Sequence, residues 1–526
     1  MAVHQVLIGG EWRESRSTGT FRAENPRTRE PLADEFPISG WLECDETLRQ
    51  AAAAAVELRQ LPAEALARFL ERYAERIEGC KQELVEIAHT ETALPKAPRL
   101  ADVELPRTTS QLRQAAAAAR SASWSLPTID TAAGIRSVLG PLGPICVFGP
   151  NNFPFAFGSI SGGDFAAAIA AGNPVIAKAN SSHPGTTRRF AVEANLAAGE
   201  CELPAGTVQL IYRTSHDDGE RLVADPRVGG TGYTGSRHAG LRLKAAADRA
   251  GKPIYLELSS VNPVVILPGA LSERGEELAQ QFSASCLMGT GQFCTNPGLV
   301  LLLSGTETTT FVERISAQFE SAPVGTLLSK SVEQNLARGV RGLIDAGAEV
   351  LVGNSVGGGQ GYSYANTLLA ASARQFLRHA AELQAEAFGN AALIVIADTV
   401  DELTAVIDHL EGNLTGCVYS ATQGGDDLIY DKVAFHLRPK VGRLLNDKMP
   451  TGVAVSAAMN HGGPFPATGH PGFTAVGIPA SLRRFAMLQC YDGVRTHRLP
   501  PVLRDKNPNG TTWRFINGAW TQADVA

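Results

Sequence analysis

From Pro141 onward the chain alternates short apolar runs with helix-like segments, and this alternation constrains the fold more than any other feature. Residues 143–149 (Gly-Pro-Ile-Cys-Val-Phe-Gly) read as a buried strand running into a loop, 165–171 as a helix and 174–178 as the next strand. Residues 208–212, 219–224 and 228–233 continue the order as strand, helix and weaker strand. Strands separated by helices need crossover connections, so the expected core is a parallel, doubly wound α/β sheet. The pattern resumes at 264–267, 300–303 and 393–397, the last followed by a helix over 401–410. That implies a second α/β domain starting near Asn262-Pro263. Upstream, the alanine runs at 51–55 and 115–119 and the stretch 63–92 read as amphipathic helices. The tail from Leu499, rich in Pro, Asn and Trp, reads as an arm or an edge strand, and no internal repeat is evident.

A chain of 526 residues is too long for one ordinary core, so two or three domains are expected. The net charge of −6 carries no basic excess, which argues against nucleic acid as a partner. The first residues lack a basic stretch followed by an apolar one, and no apolar run reaches membrane-spanning length. A cytoplasmic protein with no membrane partner is therefore expected. The eight cysteines are scattered without a CxxC pair, so disulfides are not expected. No zinc signature appears, and no metal is expected. His461 and His470 lie among glycines and prolines and read as polar surface residues on loops rather than ligands.

The chemistry concentrates in a few short stretches. Cys294 sits in Thr290-Gly291-Gln292-Phe293-Cys294-Thr295-Asn296-Pro297-Gly298, where glycine allows close backbone approach and Pro-Gly marks a sharp turn. Loop chemistry of that kind presents a nucleophile, although most cysteines are inert core residues. Pro150-Asn151-Asn152-Phe153-Pro154 follows the first strand directly, and Lys178 ends the second. Gly235-Ser236-Arg237-His238-Ala239-Gly240 leads from a strand into a helix and could hold a pyrophosphate, or be an ordinary strand-to-helix turn. Glu257 lies between Leu256 and Leu258, as a surface carboxylate on a strand also would, and Asn152 alone could be a turn residue. Glu386-Ala387-Phe388-Gly389 comes much later.

Together and in this order, the six stretches resemble the aldehyde dehydrogenase superfamily over nearly the whole chain. The resemblance implies two doubly wound parallel-sheet domains plus a small β oligomerisation arm. Residues 1–123 and 141–262, with part of 462–490, would bind nucleotide. Residues 263–461 would form the catalytic domain, and 124–140 and 491–526 the arm and tail. It implies Cys294 as the nucleophile, Asn152 with the Cys294 N–H as the oxyanion site, and Glu257 as the base that activates water and helps deprotonate the thiol. Phe148, Gly149, Pro150, Lys178, Gly235, Ser236, Gly240, Leu258, Glu386 and Phe388 would line the cofactor. Members that prefer NAD often carry a carboxylate three residues after the strand-end lysine. Here that residue is Ser181, which would not repel a 2′-phosphate, and Arg213 or His216 could assist Lys178. NADP is therefore favoured over NAD. The chain departs from the common pattern at Ser259-Ser260-Val261, Asn390 and Asn151, which points away from the common NAD-linked branches.

Several stretches resemble the 2-oxoglutarate semialdehyde (2,5-dioxovalerate) dehydrogenase branch: Arg107–Arg113, 148–154, 461–468 and the tail 499–520. A substrate with a carboxylate suits an arginine, with Arg107 first and Arg113 second, although either could be a helix-surface ion pair. Phe153, Phe155 and Phe465 would serve that substrate or the long aliphatic aldehydes of a related NADP-linked branch. A catalytically inactive structural relative and a CoA-acylating enzyme are the remaining alternatives. The family's habit of exchanging a protruding arm implies a homodimer or homotetramer, with 124–137 and 513–520 as arms.

Overall fold

The computed structural model describes residues 3–525. Its first sheet has seven strands in the order Ile254–Glu257, Gly230–Thr234, Ile145–Phe148, Val175–Lys178, Val208–Ile211, Val6–Ile8 and Glu11–Arg13. The first five run parallel, and Val6–Ile8 pairs antiparallel with Val208–Ile211. Strands buried on both faces need apolar residues at every position rather than alternation, and Ile145–Phe148 is buried throughout. The crossover helices include Gly163–Ala170, Pro184–Glu200 and Arg237–Arg249. Strand order reverses around Ile145–Phe148, so the strand ends beside it open into a crevice.

The second seven-stranded sheet runs Glu349–Val352, Thr367–Ser372, Ala391–Ala397, Leu299–Leu303, Val264–Ile266, Asn413–Tyr419 and Val441–Asn446. All of its pairs are parallel except the first. Both sheets follow from the alternation in the sequence. The short strands Val6–Ile8, Glu11–Arg13 and Glu349–Val352, which extend the two sheets antiparallel at one side, do not. The helical stretch 63–92 is two helices, Ala63–Gly79 and Lys81–Thr92, broken at Cys80.

A third, five-stranded sheet is assembled from distant segments: Ala486–Asp492, Ile135–Pro141, Thr128–Asp130, Arg514–Ile516 and Ala519–Thr521. The segment after Trp124 and the tail thus pair with each other, Thr128 opposite Phe515. Met487, Leu488, Trp513 and Trp520 stand exposed on or beside this sheet. Among the described residues, no helix is long and apolar enough to cross a membrane.

Candidate active site

Cys294 lies between the helix Pro268–Leu287 and the strand Leu299–Leu303, in a loop whose conformation is fixed by its neighbours. Thr290 and Gly291 both have left-handed backbone, with φ of 60° and 67°. A Cβ on Gly291 would stand 2.0 Å from the Gly389 carbonyl oxygen, so only glycine lets the loop sit on the 386–389 segment. The Gln292 side chain accepts from the Leu328 N–H at 2.8 Å and donates to the Gly289 carbonyl at 3.1 Å. Asn262 donates to the carbonyls of Cys294 and Asn296 at 2.9 and 2.8 Å. Ser260 and Thr415 hydroxyls donate in turn to the Asn262 side-chain oxygen, at 2.9 and 3.0 Å. Buried amides satisfied on both ends leave the thiol little freedom to move.

Against the thiol stands a residue that sequence reasoning passed over. His461 Nε2 is 3.4 Å from Cys294 Sγ and 2.9 Å from Glu257 Oε1. The expectation that His461 is a polar surface residue is overturned: it lies in a loop, but it and Glu257 are each 1% exposed. Glu257 ends its strand, where Thr468 bridges it and the Leu258 N–H donates to the Ala467 carbonyl at 2.8 Å. That pairing draws the 461–470 segment over the strand end. The Thr474 hydroxyl oxygen accepts the His461 N–H at 3.0 Å, and the Ala475 N–H donates to the His461 carbonyl at 2.8 Å. The remaining Glu257 oxygen, Oε2, is buried without a partner.

Burial pushes the Cys294 thiol well above its ordinary range, with the Glu257 carboxylate adding to the rise and Arg107 opposing it. An undissociated thiol is a poor nucleophile, so a base at the sulfur matters. With the ring proton on Nδ1, the imidazole nitrogen facing both groups can take the thiol proton while the carboxylate steadies the resulting cation. Asn152 is buried, and its Nδ2 donates to the Gln292 carbonyl at 3.0 Å. An amide nitrogen carries two hydrogens, so one remains for an oxyanion at the sulfur. Arg99 donates to the Asn152 carbonyl at 3.0 Å and pairs with the buried Glu104, which accepts from the N–H groups of Phe155 and Ala156. The loop carrying Asn152 is pinned along its length.

Arg107 lies on the helix Leu105–Ser121 with its guanidinium 5.2 Å from the Phe157 ring and 5.9 Å from that of Phe153. Its Nε and Nη2 are buried and unpartnered, and burial lowers its pKa. Phe153 packs edge-on against Phe157 and Phe293. The other substrate candidates lie elsewhere. Arg113 forms a two-pronged surface pair with Glu78 at 2.6 and 2.8 Å, the ordinary reading of a helix arginine. Phe155 is fully buried against Phe190. Phe465 is 57% exposed and lies 5.9 Å from the Arg237 guanidinium, apart from the Phe153 cluster.

The nucleotide candidates gather around the carboxyl ends of the first sheet. Lys178 ends its strand level with Phe148 and Ile211, and pairs with no carboxylate among the described residues. Burial, with Arg213 nearby, lowers its ammonium to about 8. Asn180 ties the following loop to the Gly149 carbonyl at 3.1 Å, with Pro150 and Ser181 alongside, and His216 is exposed at the start of its helix. The Ser236 hydroxyl caps the helix Arg237–Arg249 by accepting from the Ala239 N–H, and a Cβ on Gly240 would collide with Leu258 at 2.5 Å. Glu386 is raised to about 7 by burial, against hydrogen bonds from the Ser259 hydroxyl and the Ser260 N–H. Phe388 lies beside it in a small cavity with Ser260 and Asn296. An unneutralised lysine, a capped helix start and a buried carboxylate fit the phosphate and ribose groups of a dinucleotide.

A sequence profile of the aldehyde dehydrogenase family matches residues 12–427. The chain is 38% identical over 521 residues to alpha-ketoglutaric semialdehyde dehydrogenase 2 of Azospirillum brasilense, covering 96% of this chain and 97% of that one. It is 33% identical over 528 residues to alpha-ketoglutaric semialdehyde dehydrogenase of Acinetobacter baylyi, covering 98% of each. Among solved structures, PnpE in complex with nicotinamide adenine dinucleotide superposes with a TM-score of 0.80 at 21% identity, over 93% of this chain and 97% of that one. Lactaldehyde dehydrogenase from Escherichia coli gives 0.78 at 22% identity, over 93% and 98%. With the same fold and matches of this length, the chain belongs to the aldehyde dehydrogenase family and oxidises aldehydes with a nicotinamide cofactor.

Proposed function

We propose that this enzyme oxidises 2-oxoglutarate semialdehyde to 2-oxoglutarate, prefers NADP while accepting NAD, and releases its product to water rather than to a thiol. The observation that carries the substrate reading is Arg107, a buried guanidinium near the nucleophile with two nitrogens unpartnered. A buried charge without a partner costs several kcal/mol, which a carboxylate at the far end of the substrate would recover. A hydrocarbon tail packed against Phe153 and Phe157 would leave that cation unpaired. The names of the Azospirillum and Acinetobacter relatives support the same substrate.

In this reading the imidazole of His461 carries its own proton on Nδ1 at the moment of attack, so that Nε2 takes the thiol proton and Glu257 holds the imidazolium. The Cys294 sulfur then adds to the aldehyde carbon, and Asn152 with the Cys294 N–H stabilises the oxyanion. Bound nicotinamide supplies the hydride acceptor. The product of oxidation stays on Cys294 as a thioester, and Glu257 takes a proton from the water that hydrolyses it. Lys178, Ser181, Arg213 and His216 would hold the 2′-phosphate side of the cofactor, Gly235, Ser236 and Gly240 the pyrophosphate, and Glu386 the nicotinamide ribose. Lys178, with no carboxylate near it, supports NADP. The exposed apolar side chains of the five-stranded sheet support assembly into a homodimer or homotetramer, and residues 124–140 and 491–526 would supply its arm. Eight free cysteines support a reducing, cytoplasmic location.

Arg107→Ala is expected to lower kcat/KM for 2-oxoglutarate semialdehyde by at least about 30-fold, the low end of the roughly 2–5 kcal/mol lost when one partner of a buried charge pair is removed. Hexanal should change only a few-fold. Equal losses on both aldehydes would remove the carboxylate role. His461→Gln is expected to slow the first burst of NADPH by about 100-fold, the scale of a lost general base. Because burial keeps the thiol protonated, the surviving burst should speed up as pH rises. A burst as fast as the parent enzyme's at neutral pH would take His461 out of the proton transfer.

A further inference from the structure

Cys294, Glu257 and His461 have a property that aldehyde oxidation does not need. One ligand atom from each lies within 4.8 Å of the others, and this is the only such group of three found among the described residues. We propose that the three side chains form a capture site for a borderline-soft divalent cation, Zn²⁺ above all, and that its occupation holds the enzyme in an inactive state. The donor set is a thiolate sulfur, an imidazole nitrogen and a carboxylate oxygen, the three kinds that zinc prefers.

The spacing suits that ion. Bonds of about 2.0–2.3 Å in a tetrahedral site place ligand atoms roughly 3.3–3.7 Å apart. Sγ and Nε2 are already 3.4 Å apart, while Nε2 and Oε1 are 2.9 Å apart because a proton joins them. Removing that proton opens the pair by a few tenths of an ångström. The second, independent sign is Glu257 Oε2, an acceptor buried without a partner on the same carboxylate. A metal ion held by that oxygen, or by both oxygens, would relieve it.

The balance is simple. Zn²⁺ displaces the thiol proton, the imidazole's single proton moves from Nε2 to Nδ1, and nothing is oxidised or reduced. Thiolate and carboxylate cancel the ion's charge, with water in the fourth position. Arg107 works against a dication, so affinity falls below that of closed four-ligand structural sites, and a chelator should strip the ion readily. The ligands are 37, 167 and 204 positions apart along the chain, which is why no zinc signature marks them in the sequence. A site of this kind would silence the sulfur and shield it from oxidation until the ion is withdrawn.

The binding measurements use the full-length protein without aldehyde or nucleotide, so their result is independent of the substrate and cofactor reading. Titration with Co²⁺ as a spectroscopic stand-in should give one tight site per chain with a near-ultraviolet thiolate-to-cobalt band. Zn²⁺ titrated by calorimetry should match that stoichiometry and displace the cobalt. Cys294→Ala should abolish the band. His461→Ala and the isosteric Glu257→Gln should each weaken binding by more than the roughly 10–100-fold that losing an outer-sphere partner costs. EDTA should restore full aldehyde oxidation to zinc-treated enzyme. A band that survives Cys294→Ala places the metal on another thiol and overturns the proposal. Affinity unchanged in both folded His461→Ala and Glu257→Gln proteins reduces it to binding by a lone sulfur, with the same consequence.

Discussion

Replacing Cys294 with alanine abolishes aldehyde oxidation and leaves NADP binding essentially intact. The loss should be on the order of 10⁶ in kcat, the scale seen when the nucleophile of a residue set acting as a unit is removed. No neighbouring thiol can substitute. Cys286 is fully buried, is raised to about 12 by burial, and faces the Asn296 amide at 3.8 Å rather than the crevice. The loop should keep its shape, because it is held through backbone carbonyls bonded to Asn262 and through the Gln292 side chain. Fluorescence titration with NADP separates binding from chemistry. Residual turnover above about a thousandth of the parent rate would refute Cys294 as the group that bonds to the substrate.

Legibility followed the range of the forces involved. The two parallel sheets were readable because burial on both faces writes itself locally, as in the wholly apolar run Ile145–Phe148. The third sheet was only half readable. Its arm and tail segments look like edge strands, but nothing local says that Thr128 pairs with Phe515, and Ala486–Asp492 carries no sign of joining them. The site shows the same division. Cys294 and Asn152 sit in stretches whose glycines and prolines advertise a special backbone. Glu257 sits in an ordinary apolar strand, and only the order of neighbouring motifs set it apart.

His461 was missed because its meaning is entirely long-range. Its partners are 204 and 167 positions away, so no spacing rule reaches them. A weaker signal was present in the glycines beside it. A Cβ on Gly462 would lie 2.1 Å from the Phe473 carbonyl oxygen, and one on Gly463 would lie 2.2 Å from that of Asn413. A histidine followed by two glycines that permit such close backbone approach is one held deep in the fold, not displayed on a surface loop. Arg107 poses the converse case. Composition made a surface ion pair equally reasonable, which is what Arg113 on the same helix proved to be, and only burial distinguished the two.

Glu257→Gln is expected to preserve the burst of NADPH and to slow the steady state that follows by roughly 10³-fold, within the range for a lost general base. Glutamine has the shape of glutamate and can still present an oxygen to His461 Nε2, where Oε1 now accepts at 2.9 Å. Formation of the bond to sulfur therefore keeps its proton acceptor, although the imidazolium loses a full negative charge beside it and the burst should slow by a smaller factor. Hydrolysis has no such reserve. The buried Oε2, free of any protein partner, is the atom that can accept a proton from an attacking water, and in glutamine an NH₂ group or a far weaker base takes its place. The thioester should accumulate, so intact-protein mass spectrometry after quenching should show one acyl group per chain, absent in Cys294→Ala. Adding CoA should not rescue turnover if release to water is the native route. A burst that disappears along with the steady state would place Glu257 at the thiol step as well, and shift the work of activating Cys294 from the histidine alone to the pair.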